Sequence, residues 1–171
     1  DYAVGKGGDI PKWITGGIRF ALGVDLSRDN IDNRLDGACA RYLNYCKKFT
    51  QLPRVVFLNG DSSVNIKSGA AFAGEKSKQI INALFGTGTK DSTVLGKGIY
   101  KNYGVALEGF NISSIQFAIH YMFENRTKLH SFMKNICECT KLNGYFIGTC
   151  YDGMSVFNML SRKDTGESIN L

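Results

Sequence analysis

Asp1-Tyr2-Ala3-Val4-Gly5-Lys6-Gly7-Gly8-Asp9 and, a little further on, Arg19-Phe20-Ala21-Leu22-Gly23-Val24-Asp25 are the stretches on which the fold turns. The first reads as a strand end, a glycine-rich turn and a helix start. Glycine carries no side chain and takes positive φ, so such a turn lets a ligand approach the backbone. It is not a Walker A loop, because Lys6 is followed by Gly7 where Ser or Thr is required. It is not the GxGxxG dinucleotide turn either, since position 10 is Ile10. The second stretch is a short apolar run closed by an acid, which suits a buried parallel strand. Asp25 falls 20 residues after Gly5, where a carboxylate can accept hydrogen bonds from both hydroxyls of a ribose.

Outward from this pair, strand-like and helix-like stretches alternate, the signature of an α/β fold. Ile31, Leu35, Ala38, Cys39, Tyr42 and Cys46 predict a helix from Asp29 to Lys48. Arg54–Asn59 is the next strand, halted by Gly60-Asp61. Phe110–Phe117 is another, with Gln116 near its end. Arg126–Thr140 predicts the best helix, with Leu129, Phe132, Met133, Ile136 and Cys137 on one face. Gly144–Thr149 reads as a strand, and Ser155–Leu160 starts a last helix. Asp25, Asp61, Ser62 and Gln116 thus fall at or near the carboxyl ends of successive strands. In an open parallel sheet those ends meet at one crevice. Each residue alone reads equally as a loop carboxylate or a helix cap. Four in register point to a nucleoside-like ligand.

Composition sets the bounds. A chain of 171 residues with 43% hydrophobic and 12% aromatic residues offsets its ordering entropy by burial. The +6 net charge favours polyanionic partners. No apolar run approaches the roughly 20 residues that span a bilayer, so no membrane partner is expected. Five cysteines without a CxxC pair, and two histidines, leave too few ligands for a structural metal. Reduced thiols and an intracellular setting follow as expectations. Between the strands Arg54–Asn59 and Phe110–Phe117, residues 66–105 carry Lys76, Lys78, Lys90, Lys97 and Lys101 among glycines. A solvated, mobile insertion and a basic lip over a nucleic-acid groove are the two readings of that stretch.

The motifs resemble a known family, the mRNA cap (guanine-N7) methyltransferases. DYAVGKGGD is similar to that family's first motif, usually DLGCGKGGD. Val24-Asp25-Leu26-Ser27, Arg41-Tyr42, Gly60-Asp61-Ser62-Ser63, Gln116-Phe117-Ala118-Ile119-His120-Tyr121-Met122-Phe123-Glu124 and Gly144-Tyr145-Phe146-Ile147-Gly148-Thr149 follow in the family's order. The basic insertion looks like those of large DNA virus capping enzymes. The resemblance implies a Rossmann-like, S-adenosylmethionine-dependent methyltransferase fold, a mostly parallel sheet with helices on both faces, forming one core over residues 1–171. It implies S-adenosylmethionine as cofactor, S-adenosylhomocysteine as product, and methyl transfer to N7 of the guanine cap.

Carried over residue by residue, the cofactor would lie against Ala3 and Gly5, with its ribose on Asp25. Its adenine would sit near Asp61 and Ser62, and its methionine end near Gln116 and Tyr121. The cap guanine would contact Phe117, His120 and Tyr121. If the chain turns helical there, these three share a face at i, i+3 and i+4. Lys6, Lys12 and Arg41 would reach the triphosphate. Guanine N7 already exposes a lone pair, so no general base is expected, and His120 is assigned to the guanine edge.

Ala3 and Val4 replace the family's usual glycine and cysteine. The strand expected before the glycine turn and the last strands of the family's sheet are not in this sequence. It therefore reads as a piece of a longer protein, incomplete at both ends. Guanylyltransferase and triphosphatase domains are expected partners in the same chain, beside the capped 5′ end of an mRNA. The host cytoplasm is the expected location for a viral protein and the nucleus for a cellular one. Three rivals remain: a catalytically silent cap- or RNA-binding scaffold, a small-molecule methyltransferase, and a nicotinamide dehydrogenase, the last lacking its GxGxxG turn.

Overall fold

A computed structural model describes residues 1–168. In chain order its elements are α1 (Ile10–Thr15), β1 (Phe20–Asp25), α2 (Arg28–Asp32), α3 (Ala38–Cys46), β2 (Arg54–Asn59), α4 (Glu75–Leu84), α5 (Ser92–Tyr100) and β3 (Phe110–Gln116), then a 3-10 turn (Ile119–Phe123), α6 (Arg126–Cys139), β4 (Thr140–Thr149) and α7 (Gly153–Leu160). Both strand pairs are parallel: β1 with β2, and β3 with β4. The sheet is expected to be continuous but is divided, because β1 and β3 do not pair directly. Asp1–Val4 bridges them instead. The Asp1 nitrogen donates to the Leu22 carbonyl, Val24 N–H to Asp1 and Val4 N–H to Val24, while Tyr2 N–H reaches Ser114 of β3. Beside this bridge lies a cavity of about 890 Å³, lined by Trp13, Phe20, Leu22, Phe110, Ile112 and Ile147 among others.

Alternation along the strands assigns the faces, since successive side chains point oppositely. Phe57 of β2 meets Trp13 of α1 and Tyr42 of α3 on one side. Leu58, with Leu22 and Val24 of β1, joins Phe72, Leu84 and Phe132 in the core on the other. Helices therefore cover both faces. Among the described residues no helix is long and apolar enough to cross a membrane.

Three expectations need correction. The helix read from Asp29 to Lys48 is two helices, α2 and α3, broken at Asn33–Gly37. The Asn33 side chain accepts from the N–H groups of Leu35 and Asp36, the self-bonded turn that asparagine favours. Gly37 packs so close that a Cβ would lie 2.6 Å from the Asn33 carbonyl oxygen. Leu35 and Cys46 accordingly face solvent.

On α6, Phe132, Leu129 and Ile136 face the core as expected, but Asn135 and Cys139 complete that face in place of Met133 and Cys137, which are exposed. The insertion at 66–105 is no solvated flap either: Ile66, Phe72, Ile81, Leu84 and Phe85 are buried in the common core. Phe85 packs edge-on against Phe110, under the amino end of β3 and away from the crevice. Its lysines are partly engaged, with Lys78 on Glu75 and Lys90 over Tyr100 and Tyr103.

Candidate functional site

Asp25 ends β1, and its side chain is buried. Its Oδ2 accepts from Gly5 N–H at 2.7 Å, and its Oδ1 accepts from Ser27 N–H at 2.9 Å and from the Asn30 amide at 3.0 Å. A carboxylate offers about four lone-pair directions, so one, on Oδ2, is left for a ligand hydroxyl. Asn59 at the end of β2 donates to the carbonyls of Asp25 and Leu26 at 2.9 and 2.8 Å. The two carboxyl ends are thereby stitched together.

The glycine turn is pinned by the same carboxylate. Gly5 and Gly7 have φ of +53° and +73°, a region closed to most side chains. A Cβ at Gly7 would lie 2.7 Å from Ile10, whereas one at Gly5 would meet nothing within 4 Å. Gly7 is therefore a packing requirement. Gly5 leaves open space over the backbone, and Ala3 beside it is half-buried.

After β2 the chain turns at Asp61-Ser62-Ser63. Asp61 Oδ1 accepts from Ser63 N–H at 2.8 Å and from the Ser63 hydroxyl at 2.6 Å. Among the described residues its Oδ2 has no partner. Ser62 departs from expectation. It is buried and its hydroxyl donates to the Tyr2 carbonyl, so it braces the loop against the glycine turn, and its donor is already used. Of the two residues expected at the adenine, Asp61 alone keeps a free polar atom among the described residues.

Gln116 closes β3. Its amide donates to Ser114 Oγ at 2.9 Å and its carbonyl accepts from Thr149 Oγ1 at 2.9 Å. Phe117 follows with φ of +52°, unusual for a bulky residue and of the kind that concentrates at functional sites. Its N–H is held by the Thr149 carbonyl at 2.9 Å. The segment beyond is a 3-10 turn, not an α-helix. Ala118 and Met122 point into the core, while Phe117, His120, Tyr121 and Phe123 are exposed. The rings of His120 and Tyr121 lie 4.1 Å apart, and Phe117 sits 5.7 Å from Tyr151 instead. The structure thus brings together two of the expected trio, His120 and Tyr121, and sets Phe117 beside Tyr151.

The basic residues are mostly spoken for. Lys6 pairs with Asp36 at 2.6 Å and Lys12 with Asp9 at 2.7 Å. Arg41 lies half-buried on α3 beside Asn44, Tyr45 and Lys48. Exposed pairs of this kind are worth about 0–1 kcal/mol, so a polyanion can recruit Lys6 and Lys12 at little cost. Tyr2 is buried, and desolvation holds its phenol well above the ordinary range.

The model of the mRNA (guanine-N(7))-methyltransferase domain matches residues 1–170. The chain belongs to this family. Among its relatives, a probable mRNA-capping enzyme of Acanthamoeba polyphaga mimivirus is 29% identical over 163 residues, covering 95% of this chain and 13% of that protein. The mRNA cap guanine-N(7) methyltransferase of Drosophila melanogaster is 27% identical, covering 94% and 30% respectively. That of Saccharomyces cerevisiae is 28% identical, covering 89% and 27%. The chain therefore spans 30% or less of the length of each.

Seen as a cap guanine-N7 methyltransferase domain, it uses residues that sequence reasoning passed over. Asn30 orients Asp25, Asn59 joins the strand ends, and Asn135 and Tyr2 hold the Asp61 loop. An asparagine closing a strand was the available signal for Asn59; Asn30, inside α2, carried none.

Proposed function

We propose that this chain is the methyl-transferring core of an mRNA cap guanine-N7 methyltransferase, using S-adenosylmethionine. The carrying observation is adjacency: Gly5 is bonded to Asp25 at the end of β1, Asp61 follows the end of the paired β2, and Gln116 at the end of β3 is followed at once in the chain by the exposed Phe117, His120 and Tyr121. The residues fit the cofactor. Gly5 leaves open space, Asp25 keeps one acceptor direction for a ribose, and Asp61 Oδ2 is free for an exocyclic amine. When bound, S-adenosylmethionine supplies a methyl group on a sulfonium centre.

Gln116, held at both ends of its amide, sets the wall beside the methionine portion. The aromatic side chains offer a stacking surface for guanine, and His120 offers a hydrogen bond to its edge. Lys6, Lys12 and Arg41 offer charge to the triphosphate. Guanine N7 needs no proton removed, so these residues work by placement and by their field. Relatives several times longer support guanylyltransferase and triphosphatase domains in the same polypeptide.

The test is methylation of a cap dinucleotide by the full-length protein, beside calorimetric titration with S-adenosylhomocysteine and NAD. Methyl transfer with S-adenosylhomocysteine binding and no NAD binding is expected. Cap binding without transfer would instead show a silent scaffold, and transfer only to uncapped small molecules would remove the cap assignment.

A further inference from the structure

We infer that Asn135, in the middle of α6, is a positioning residue that sets the loop facing the cofactor's adenine. Asn135 is fully buried. Both amide hydrogens are used, toward the carbonyls of Ser62 at 2.8 Å and Val64 at 2.7 Å, and its Oδ1 accepts from Ile66 N–H at 2.9 Å. One side chain therefore satisfies three backbone groups of the six-residue loop Asp61–Ile66, which forms no regular structure. The Asn135 backbone carbonyl also accepts from the Tyr2 hydroxyl at 3.1 Å, and Ser62 donates to the Tyr2 carbonyl. Loop, helix and glycine turn are thus locked to one another at this residue. Glu138, one turn further along α6, adds a clamp at the loop's far side by accepting from the Asn65 amide at 2.6 Å.

The chemistry dictates asparagine. The loop presents two acceptors and one donor, and an amide is the small side chain that answers with two donors and one acceptor. Aspartate of the same size would face two carbonyls with a carboxylate. Leucine would leave all three groups unsatisfied in a buried place, which is costly. The loop's first residue is Asp61, whose free Oδ2 suits the N6 amine of adenine and repels the O6 of hypoxanthine. Fixing the loop fixes that oxygen. Asn135 is buried behind the loop with its amide wholly used by it, so its effect is on discrimination through Asp61. The inference rests on the cofactor reading above.

The experiment compares S-adenosylhomocysteine with S-inosylhomocysteine by calorimetry in the full-length protein, for the parent, Asn135→Ser and Glu138→Ala. Amide exchange across residues 61–66 is followed in the same samples. The parent should prefer the adenine form, and Asn135→Ser should lower that preference ~10-fold, the scale of one misplaced hydrogen bond to a charged group. Exchange at Ile66 should rise with it. Glu138→Ala, at the half-buried edge, should keep its fold and shift preference and exchange in the same direction by a smaller factor. A lower melting point with preference and Ile66 protection unchanged would make Asn135 a packing residue and overturn the inference. If Asn135→Ser does not fold, an unchanged preference in Glu138→Ala overturns it equally. A parent that binds neither compound refutes the cofactor reading itself and the inference with it. A parent that binds both equally, yet methylates caps, refutes only the inference.

Discussion

Replacing Asp25 by asparagine changes one atom and tests the centre of the crevice. The carboxylate holds three N–H donors, from Gly5 at 2.7 Å, Ser27 at 2.9 Å and Asn30 at 3.0 Å. An amide has one acceptor oxygen. If that oxygen takes the Oδ1 place, Ser27 and Asn30 remain bonded, but the new amine faces the Gly5 N–H, donor against donor. If the amide turns over, Gly5 is kept and two donors are opposed. At least one hydrogen bond to a charged group is lost either way, worth about 1.5–3 kcal/mol. The first orientation also removes the only free acceptor direction, the one on Oδ2. Cofactor affinity should therefore fall on the order of 10–150-fold in Asp25→Asn. Stability should fall by about 2 kcal/mol, within the range for a broken buried network, and cap affinity should change less. The assays are calorimetric titration with S-adenosylhomocysteine, fluorescence titration with a cap analogue, and urea unfolding. Unchanged S-adenosylhomocysteine affinity in a folded variant would show that the carboxylate serves the glycine turn alone.

Other outcomes are as specific. Phe117→Ala should weaken cap-analogue binding on the order of 10–100-fold through loss of a stacking ring, with S-adenosylhomocysteine affinity within a few fold; parallel titrations decide. Phe117→Gly should lose the cap equally yet melt higher than Phe117→Ala, because glycine relieves about 1–2 kcal/mol of left-handed backbone strain. Arg41→Ala should reduce cap-analogue affinity and flatten its salt dependence, as expected for a lost phosphate contact; a salt slope identical to the parent's would remove Arg41 from the triphosphate. At pH 8, thiol titration should modify the exposed Cys46, Cys137 and Cys150 first and Cys39 more slowly. Burial pushes the Cys139 thiol up to about 11. It stays protonated below that pH, so it should react only after unfolding, and early modification would show that α6 opens.

What the sequence carried and what it hid follow from range. Apolar runs such as Phe20–Val24 and Val55–Leu58 announce strands because the period is local, and acids or amides at their ends announce a carboxyl-end crevice. The turn that splits α2 from α3 depends on Asn33 folding back on its own backbone, which competes with a helix at short range and leaves the apolar spacing untouched. The inward face of α6 was misread at two of five positions because Met133 and Cys137 look apolar, whereas Asn135 looks like surface. Its burial makes sense only beside the Ser62–Ile66 loop, some seventy residues away in the chain. Ser62 escaped likewise, since its partner is the carbonyl of Tyr2. Buried polar pairing is a tertiary property, and periodicity does not encode it.

The way Asp1–Val4 is secured has a consequence for how the molecule is made. Tyr2 is tied to Ser113 and to Asn135, 111 and 133 positions later. A ribosome delivers the glycine turn long before it delivers anything that can hold it there. Closing so long a loop carries a large entropic cost and is deferred until distant contacts reward it. The pair β1–β2, separated by a few dozen residues, can assemble while synthesis continues. The turn must wait for β3 and α6 to emerge, and with it the pocket it shapes. The turn is made before the elements that hold it and placed after them, so a nascent chain cannot complete the crevice until α6 is out.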